Sequence, residues 1–382
     1  MEPIEHQSPK EDMPQFHPSA TLPLHGIVVL DFSHVIAGPF ATYYLATLGA
    51  RVIKVENPHR GDSLRRSEHA FAALNHGKEI VTLDLQEDAG REQAWQLFEQ
   101  ADVMVDNMRP GVLQRFGFGE AQVRARKPNL IHCTISGYGR ASAWADRSAY
   151  DHVIQAASGM TLMAGHEGDD PIKVGFPVVD SATGILGALG ILAAIRRRDL
   201  TGEGESLDVS MLGAALQLMY PQTVDVLATG RSPSRIGNVG YSGSPGADTF
   251  ICRDGRIALG ANTPEQMYKL GDVLQVRAQV EQLMGPQARG FATAQQAGEL
   301  RTLLQDAIAP RSADELEHLL NAQGVPAARV RDLGQCVADA VSHGVIEAWN
   351  LSGAASVRVP GLGFRANGLY GGRAMPAGHG AA

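Results

Sequence analysis

The chain has 382 residues, of which 44% are hydrophobic and 19% charged, and a formal net charge of −8 at pH 7. This length exceeds one compact core, so two domains are expected. An acidic chain without clustered Lys and Arg lacks the electrostatic surface for DNA or RNA, and no nucleic-acid partner is expected. The three cysteines, Cys133, Cys252 and Cys336, are far apart and odd in number, which favours a reducing cytoplasm over a disulfide framework.

The N-terminal residues 1–22 are interpreted as a mobile polar leader, because they lack the basic segment and apolar stretch of a signal peptide. The longest strongly apolar run, residues 184–195, is too short to cross a bilayer and is interpreted as a core helix. We therefore expect a cytoplasmic protein without a membrane partner.

Apolar strand-length and helix-length segments alternate over the first two hundred residues. A strand, a helix and a second strand in succession predict a parallel pair joined by a right-handed crossover. The predicted fold is therefore α/β, with a Rossmann-like doubly wound large domain over residues 23–220. Its predicted strands are 27–32, 51–56, 79–85, 103–106 and 129–136, and its first predicted helices are 39–48 and 91–100.

The composition changes after Met219, where a passage rich in Gly, Pro and Ser predicts a loop. Two short β runs around Asp254 and Gly255 predict a hairpin, and two or three helices are predicted between residues 264 and 321. These features predict a small α+β domain over residues 225–330. We expect residues 331–382 to return and pack on the large domain.

The common catalytic motifs are absent or incomplete. The first turn, SHVIAGP, has one glycine followed by proline where a nicotinamide-binding turn has G-x-G-x-x-G, so Glu56 is interpreted as a solvated strand end. No Walker-type phosphate loop and no G-x-S-x-G elbow occur, and Ser136 is interpreted as a turn residue. Adjacent residues of a strand face opposite sides, so His132 and Cys133 cannot share a metal ion, and no metal site is expected.

Asp180 stands directly before the most apolar helical stretch, in PVVDSATGILGALGILAAIRRR at residues 177–198. Asp is a preferred N-cap, and with a helix predicted from about Ser181 to Arg197 capping is the commoner role. A helix N-terminus also stabilises an anion, which keeps a carboxylate charged and available. The residues alone leave both roles open for Asp180.

Nine segments in chain order carry a shared pattern: GIVVLDFSHVIAGPFAT, LGARVIKVENPHRGDSLR, LNHGKEIVTLDLQ, ADVMVDNMRPGVLQRFGF, NLIHCTISGYG, YDHVIQAASGM, VVDSATGILGALGILAAIRRRDLTGEGESLDVSM, DGRIALGA and GVPAARV. In these segments the chain resembles the family III CoA-transferases of the CaiB/BaiF type, which include formyl-CoA:oxalate and carnitine CoA-transferases and the 2-methylacyl-CoA racemases. The resemblance runs from about Leu24 to Val330. It implies a Rossmann-like large domain, a small domain and two subunits interlocked in a homodimer.

The resemblance also implies roles for individual residues. The family's nucleophilic aspartate falls on Asp180, and Tyr150 and Asp151 match positions beside the reacting thioester. The glycine-rich loop that covers the site corresponds to residues 240–246. The positions that match CoA contacts are Ile36, Ala37, Asn57, Leu83, Asp84, Leu85, Asn107, Met108, Arg109 and Arg115.

The residue types at these positions suit coenzyme A. Arg109 and Arg115 are permanently charged forks for its phosphates, and apolar Ile36 and Leu83 can flank its adenine or pantetheine arm. The chain departs from some relatives at Asn57, where they carry arginine, and in the segment SGYGRASAWADRSAYD, which differs after the SGYG turn. The C-terminal LYGGRAMPAGHGAA is also divergent.

The implied enzyme moves CoA from an acyl-CoA thioester to a free carboxylic acid through a covalent aspartyl intermediate, with no cofactor beyond CoA itself. An acyl-CoA racemase is the alternative from the same family. That branch has a histidine immediately before the aspartate of the YD pair, where this chain has Tyr150, a poor base at neutral pH. A non-catalytic acyl-CoA binding protein is a third possibility, against which the intact Asp180 argues.

Overall fold

The computed structural model describes residues 22–351 and 357–364. The predicted leader, apart from Leu22, and the divergent C-terminal segment lie outside the described residues. The described chain forms two compact units. The first comprises residues 22–161, 173–231, 346–351 and 357–364, and the second comprises residues 162–172 and 232–345.

A six-stranded parallel sheet forms the centre of the first unit. Its strands are β1 (Val28–Asp31), β2 (Arg51–Glu56), β3 (Glu79–Thr82), β4 (Val103–Asp106), β5 (Ile131–Ser136) and β6 (Glu205–Ser210). The spatial order is β3-β2-β1-β4-β5-β6, which is the doubly wound order. The chain reverses its winding direction between β1 and β4, which pair with Val29 opposite Val103. A crevice at the carboxyl ends of these two strands is where such folds bind ligands.

Helices connect the strands and cover both faces of this sheet. They are α1 (Ala37–Thr47), α2 (Glu68–Asn75), α3 (Asp88–Gln100), α4 (Val112–Arg115), α5 (Glu120–Arg126), α6 (Asp151–Ala157), α7 (Val178–Thr201), α8 (Met211–Leu218) and α9 (Tyr220–Thr229).

Successive residues of β1 are buried on opposite faces of the sheet. Leu30 packs with Phe98 of α3, whereas Val29 packs in a separate core with Ala41 of α1 and Ile191 of α7. Strands that are buried on both faces contain nearly continuous apolar runs, which is why β1, β2 and β4 are recognisable in the sequence.

The helix α7 is longer than predicted. It covers 24 residues, from Val178 to Thr201, and ends at Gly202, whose φ of +76° forms a left-handed C-cap. By length and composition α7 could cross a membrane, so the expectation based on the shorter run 184–195 was wrong on length. Half of its most apolar 18-residue stretch is buried, and Ile191 and Ile195 pack in the core with α1 and the sheet.

The second unit contains a three-stranded antiparallel sheet in the order β7-β8-β9, formed by β7 (Thr249–Cys252), β8 (Gly255–Leu259) and β9 (Ala327–Arg329). Its helices are α10 (Pro264–Leu274), α11 (Arg277–Met284), α12 (Ala297–Ile308), α13 (Ala313–Ala322) and α14 (Leu333–Ser342). Four helices, not two or three, lie between residues 264 and 321, because the chain breaks with positive φ at Gln275 and Gly285.

A short antiparallel pair, β10 (Ala348–Asn350) and β11 (Arg358–Pro360), belongs to the first unit. Trp349 and Leu362 pack against the core that contains α1 and α7. The sequence places the start of the returning segment at residue 331. In the structure the contacts of residues 331–345, including α14, are with the second unit, and the return begins at Ile346.

Candidate active site

A cleft of about 270 Å³ opens at the carboxyl ends of β1, β4 and β5, at the point where the sheet reverses its winding. The strand-end loops supply most of its wall, and the first turn of α7 supplies Asp180. Seven residues predicted as site residues line it: Ile36, Ala37, Asn107, Met108, Arg109, Tyr150 and Asp180. The other lining residues are His34, Val35, Pro110, Ile135, Ser136, Gly137, Ala145, Arg147, Ser148, Ala149 and Met211.

Six predicted site residues are not among the residues lining this cleft. Leu83 and Leu85 are buried in the apolar core around Phe98, so their side chains are not free to flank an adenine. The other four are Asn57, Asp84, Arg115 and Asp151, of which Arg115 is exposed at the end of α4 and Asp84 pairs with His59 at 3.3 Å.

Close packing of α1 against α7 sets the position of Asp180. A Cβ atom added at Gly184 would lie 2.8 Å from the carbonyl oxygen of Ala37, and one added at Gly187 would lie 3.3 Å from the Cβ atom of Ala41. The two glycines therefore let the helix backbones approach closely. Asp180 lies one turn before Gly184 on the same helix, which brings its carboxyl group to the cleft beside Ala37.

Asp180 is not the N-cap of α7, so the capping interpretation was wrong. The helix begins at Val178 after Pro177, and Asp180 is the third helical residue. The carboxylate of Asp151 satisfies the helix end instead, because its Oδ2 accepts the backbone N–H groups of Val179 at 2.8 Å and Asp180 at 3.0 Å. The sequence could not assign this role, since Asp151 lies 29 residues upstream of Asp180.

Asp151 is itself held in place by a second contact. Gln155, one turn later on α6, donates from Nε2 to Oδ1 of Asp151 at 2.5 Å and accepts the N–H of Val174 through Oε1 at 2.8 Å. Both carboxylate oxygens of Asp151 are therefore occupied by donors of the protein. This arrangement makes Asp151 a positioning group for the first turn of α7.

The Asp180 carboxyl group is half-buried and free of partners. Among the described residues it forms no hydrogen bond or ion pair, and burial raises its pKa from 3.8 to about 7, with the negative charge of Asp151 adding to the increase. A carboxylate that is poorly solvated and unpaired is more reactive as a nucleophile than one held in a salt bridge.

The turn after β1 has an unusual backbone conformation. Val35 has a φ of +67°, which costs a β-branched residue about 1–3 kcal/mol. Its N–H donates to the carboxylate of Asp62 at 3.1 Å, and Asp62 pairs at 3.0 Å with Lys54, both side chains being fully buried. Lys54 also donates to the carbonyl oxygen of Ser33 at 2.7 Å.

Asn107 holds the same turn from β4. It accepts the N–H of His34 at 2.9 Å and donates to the carbonyl oxygen of His34 at 2.7 Å. Lys54 and Asp62 were not among the predicted site residues, although a lysine inside the apolar strand RVIKVE is a signal that could have identified the buried pair.

The sequence model of CoA-transferase family III matches residues 24–377. The chain belongs to this family. The CoA-transferase is 33% identical over 70% of its chain to a succinate–glutarate CoA-transferase of Agrobacterium fabrum, covering 69% of that protein. It is 30% identical over 83% of its chain to a succinyl-CoA–D-citramalate CoA-transferase of Chloroflexus aurantiacus, covering 80% of that protein.

A solved structure agrees with this assignment. A CaiB/BaiF family protein from Brucella suis superposes with a TM-score of 0.74 at 29% identity, over 86% of this chain and 89% of that chain. The mixed α/β fold with its six-stranded parallel sheet is thus the CaiB/BaiF fold. The protein is an acyl-CoA:carboxylate CoA-transferase.

The glycine-rich segment 240–246 of the CoA-transferase lies in the second unit. Gly240 donates to the carbonyl oxygen of Ala247 at 2.6 Å, and Ser244 donates from its hydroxyl to the carbonyl oxygen of Ala261 at 2.6 Å. Between them, Tyr241 is 74% exposed. The segment is thus a turn closed by its own hydrogen bonds with one aromatic side chain in solvent.

Proposed function

We propose that this enzyme transfers CoA between carboxylic acids through a covalent bond to Asp180. The observation that carries the proposal is the Asp180 carboxyl group itself: unpaired, with a pKa near 7, and at the wall of the switch-point cleft. The resemblance assigns the family's nucleophile to the same residue. Tyr150, 68% exposed in the same wall, stands where a racemase would have a histidine base.

The proposed reaction has four steps, and no proton is gained or lost overall. A carboxylate oxygen of Asp180 attacks the thioester carbonyl carbon, and the C–S bond breaks to give an aspartyl–acyl anhydride and CoA thiolate. The thiolate attacks the aspartyl carbonyl carbon, which releases the donor acid and forms an aspartyl-CoA thioester. The acceptor carboxylate then attacks this thioester, and its C–S bond breaks to give an aspartyl–acceptor anhydride and CoA thiolate. In the last step the thiolate attacks the acyl carbon of the acceptor, which forms the new acyl-CoA and frees the Asp180 carboxylate.

Each tetrahedral intermediate carries an oxyanion that needs hydrogen-bond donors. The N-terminus of α1 supports this requirement, because Ala37 lines the cleft and no side chain caps the helix. The N–H groups at the start of this 11-residue helix, together with its dipole, favour negative charge there. The role of the glycine-rich segment 240–246 in the reaction is proposed from the resemblance alone.

A dicarboxylic acid is the proposed acceptor class. The relatives are named for succinate, glutarate and citramalate, each of which carries two carboxylates. For CoA, exposed Arg109 supports a phosphate contact at the mouth of the cleft. The CoA roles of Asn57, Asp84 and Arg115 are proposed from the resemblance alone.

Trapping the intermediate tests the proposal. The protein is incubated with an acyl-CoA and hydroxylamine, and peptide mass spectrometry locates the hydroxamate. We expect the hydroxamate on Asp180 in the wild type. Asp180→Asn should form no hydroxamate and should also lose CoA transfer. Asp146→Asn, an exposed acid on the loop before α6, is the matched control and retains the adduct. Transfer without an adduct on Asp180, or an adduct elsewhere, contradicts the mechanism.

Assembly and location belong to the same proposal. A homodimer is supported by large apolar side chains exposed on α7 and α9, including Leu189 at 59% and Leu227 at 82%. The interlocked form of this dimer, the domain boundaries predicted above and the cytoplasmic location derive from the resemblance and the sequence.

A further inference from the structure

We infer that Arg147 binds the distal carboxylate of a dicarboxylic acyl group in the cleft and thereby selects dicarboxylic over monocarboxylic substrates. This inference rests on the proposed function. Arg147 belongs to the loop between β5 and α6, residues 137–150, which forms one wall of the cleft with Ala145, Ser148 and Ala149.

The charge of Arg147 is not neutralised by any carboxylate of the described residues. Its guanidinium group lies over the ring of Trp144 at 4.2 Å, and Trp144 in turn makes an edge contact with Tyr138 at 5.7 Å between ring centroids. Within the described parts of the chain no carboxylate pairs with Arg147. A guanidinium stacked on an indole is restrained in direction and keeps its N–H donors free for an anion.

The loop that carries Arg147 is firmly attached to the sheet. Arg140 donates from Nη2 to the fully buried carboxylate of Asp106 at 2.6 Å, and its backbone N–H donates to Asp208 at 2.7 Å. Gly139 donates to the hydroxyl of Ser136 at 3.0 Å. The same loop therefore contains two arginines with different roles. Arg140 forms a structural ion pair with Asp106, whereas Arg147 lines the cleft. These contacts fix the start of the loop, and the N–H of Arg147 donates to the carbonyl oxygen of Trp144 at 2.9 Å, which restrains Arg147 before substrate binds.

The charges around the cleft explain why a second substrate carboxylate needs a cation. Asp180 and Asp151 are both acidic, and each repels an additional anion. Apart from Arg147, the basic side chains of the lining are Arg109 and His34. Arg109 follows β4, and burial and the charge of Lys54 lower the pKa of His34, which disfavours a positive charge on its ring. Arg147 is four residues before Asp151, the group that positions Asp180.

The test compares two donors of equal chain length, succinyl-CoA and butyryl-CoA, which differ by a carboxylate in place of a methyl group. Formation of the Asp180 hydroxamate in the presence of hydroxylamine reports the first half of the reaction without an acceptor. Each enzyme molecule reacts once, so the measured quantity is an apparent second-order rate constant for each donor. We expect wild type to prefer succinyl-CoA. Arg147→Gln should lower this rate constant for succinyl-CoA about ten- to a hundred-fold, the loss of a charge-assisted hydrogen bond, with less than about a two-fold change for butyryl-CoA.

Two further variants separate recognition from loop structure. Arg147→Lys retains the charge and should recover part of the succinyl-CoA preference. Arg196→Gln, which removes an exposed arginine of α7 outside the cleft, should leave the preference unchanged. Equal losses with both donors in Arg147→Gln, or no preference in wild type, would overturn the inference. Absence of any Asp180 adduct with either donor would instead refute the proposed function.

Discussion

Asp180 combines two properties that usually exclude each other in a surface carboxylate: access to a cleft and a pKa near neutrality. Burial is the larger cause of its raised pKa, and the charge of Asp151 is the second. Asp151 cannot move away, because it accepts two N–H groups from the first turn of α7 and one from Gln155. The same contact that orders the helix therefore raises the pKa of the residue proposed to react.

The first prediction concerns pH. Only ionised Asp180 can attack, so kcat/KM for the acyl-CoA donor should fall about ten-fold per pH unit below a midpoint near pH 7, where half of the free enzyme is ionised. Asp151→Asn removes the neighbouring negative charge and should shift this midpoint to lower pH, although burial keeps it above 3.8. The Asn side-chain oxygen can still accept the helix N–H groups, which preserves the contact with the first turn of α7, whereas the hydrogen bond from Gln155 is lost.

Rate profiles between pH 5 and 9, at substrate concentrations well below KM, measure these midpoints. Gln217→Asn, a change at an exposed neutral residue on α8, is the control and should leave the profile in place. A midpoint that does not move in Asp151→Asn would show that the charge of Asp151 does not raise the pKa of the group that controls the acid limb.

Residue roles were only partly predictable from the sequence. The resemblance assigned Asp180 to the reaction, and the structure puts it in the cleft with Ile36, Ala37 and Tyr150. The capping role belongs to Asp151, which no local pattern around Asp180 indicates. The predicted contacts of the Leu83 and Leu85 side chains are not available, because an apolar residue after a strand can equally point into the core, as these do.

At the scale of elements, the contact between α1 and α7 joins the two halves of the cleft. Ala37 begins α1 and Asp180 lies in the first turn of α7, so their spacing depends on how closely the helices pack. Gly184 permits this approach. A larger residue there meets the backbone carbonyl of Ala37 and the Cβ of Phe40, and neither is the flexible end of a side chain.

The second prediction compares two glycines of α7. Gly184→Ala would put its Cβ 2.8 Å from the carbonyl oxygen of Ala37, and we expect the free energy of unfolding to fall by about 1–3 kcal/mol. A Cβ added at Gly190 meets only Leu207 at 3.5 Å, an ordinary contact. Gly190→Ala should therefore be neutral or stabilising by up to about 1 kcal/mol, since alanine favours a helix.

Urea unfolding followed by circular dichroism gives both values. Gly184→Ala should also lower kcat, because it moves Asp180 relative to α1, whereas Gly190→Ala should not. Equal stability changes in the two variants would mean that the helices do not meet at Gly184.

The types of the elements were more predictable than their ends. The strands at 51–56 and 103–106 were predicted with their observed bounds, because apolar runs buried on both sheet faces are easily recognised. The helix α7 starts at 178 and not at the predicted 181, because Asp151 accepts the N–H groups of Val179 and Asp180, which have no partner within the helix.

At the scale of the molecule, two helices of the first unit expose several large apolar side chains. Ile185 and Leu189 are exposed on α7, and Val224 and Leu227 on α9. A chain with this much exposed apolar helix surface gains stability by burying it against another chain. On α13 of the second unit, by contrast, Leu319 is the one large apolar side chain that is markedly exposed.

The third prediction is therefore a dimer whose formation depends on α7. Light scattering coupled to size exclusion should give twice the chain mass for wild type. Leu189→Asp should yield monomer or a lower melting temperature by several degrees, because a charge replaces apolar area at the contact. Leu319→Asp changes a residue of similar exposure on α13 and should leave the dimer intact. A monomeric wild type, or equal effects of both substitutions, would contradict the proposed assembly.

The sequence by itself determined the alternation of strands and helices, the parallel sheet and the family, because these depend on apolar periodicity and on ordered motifs that are local in the chain. Only the tertiary structure decided which side chains share the cleft and what each does there. Asp151 meets Val179, Arg140 meets Asp106, and Lys54 meets Asp62 through contacts between separate elements. Such contacts depend on distances in space and on burial, which sequence spacing does not encode.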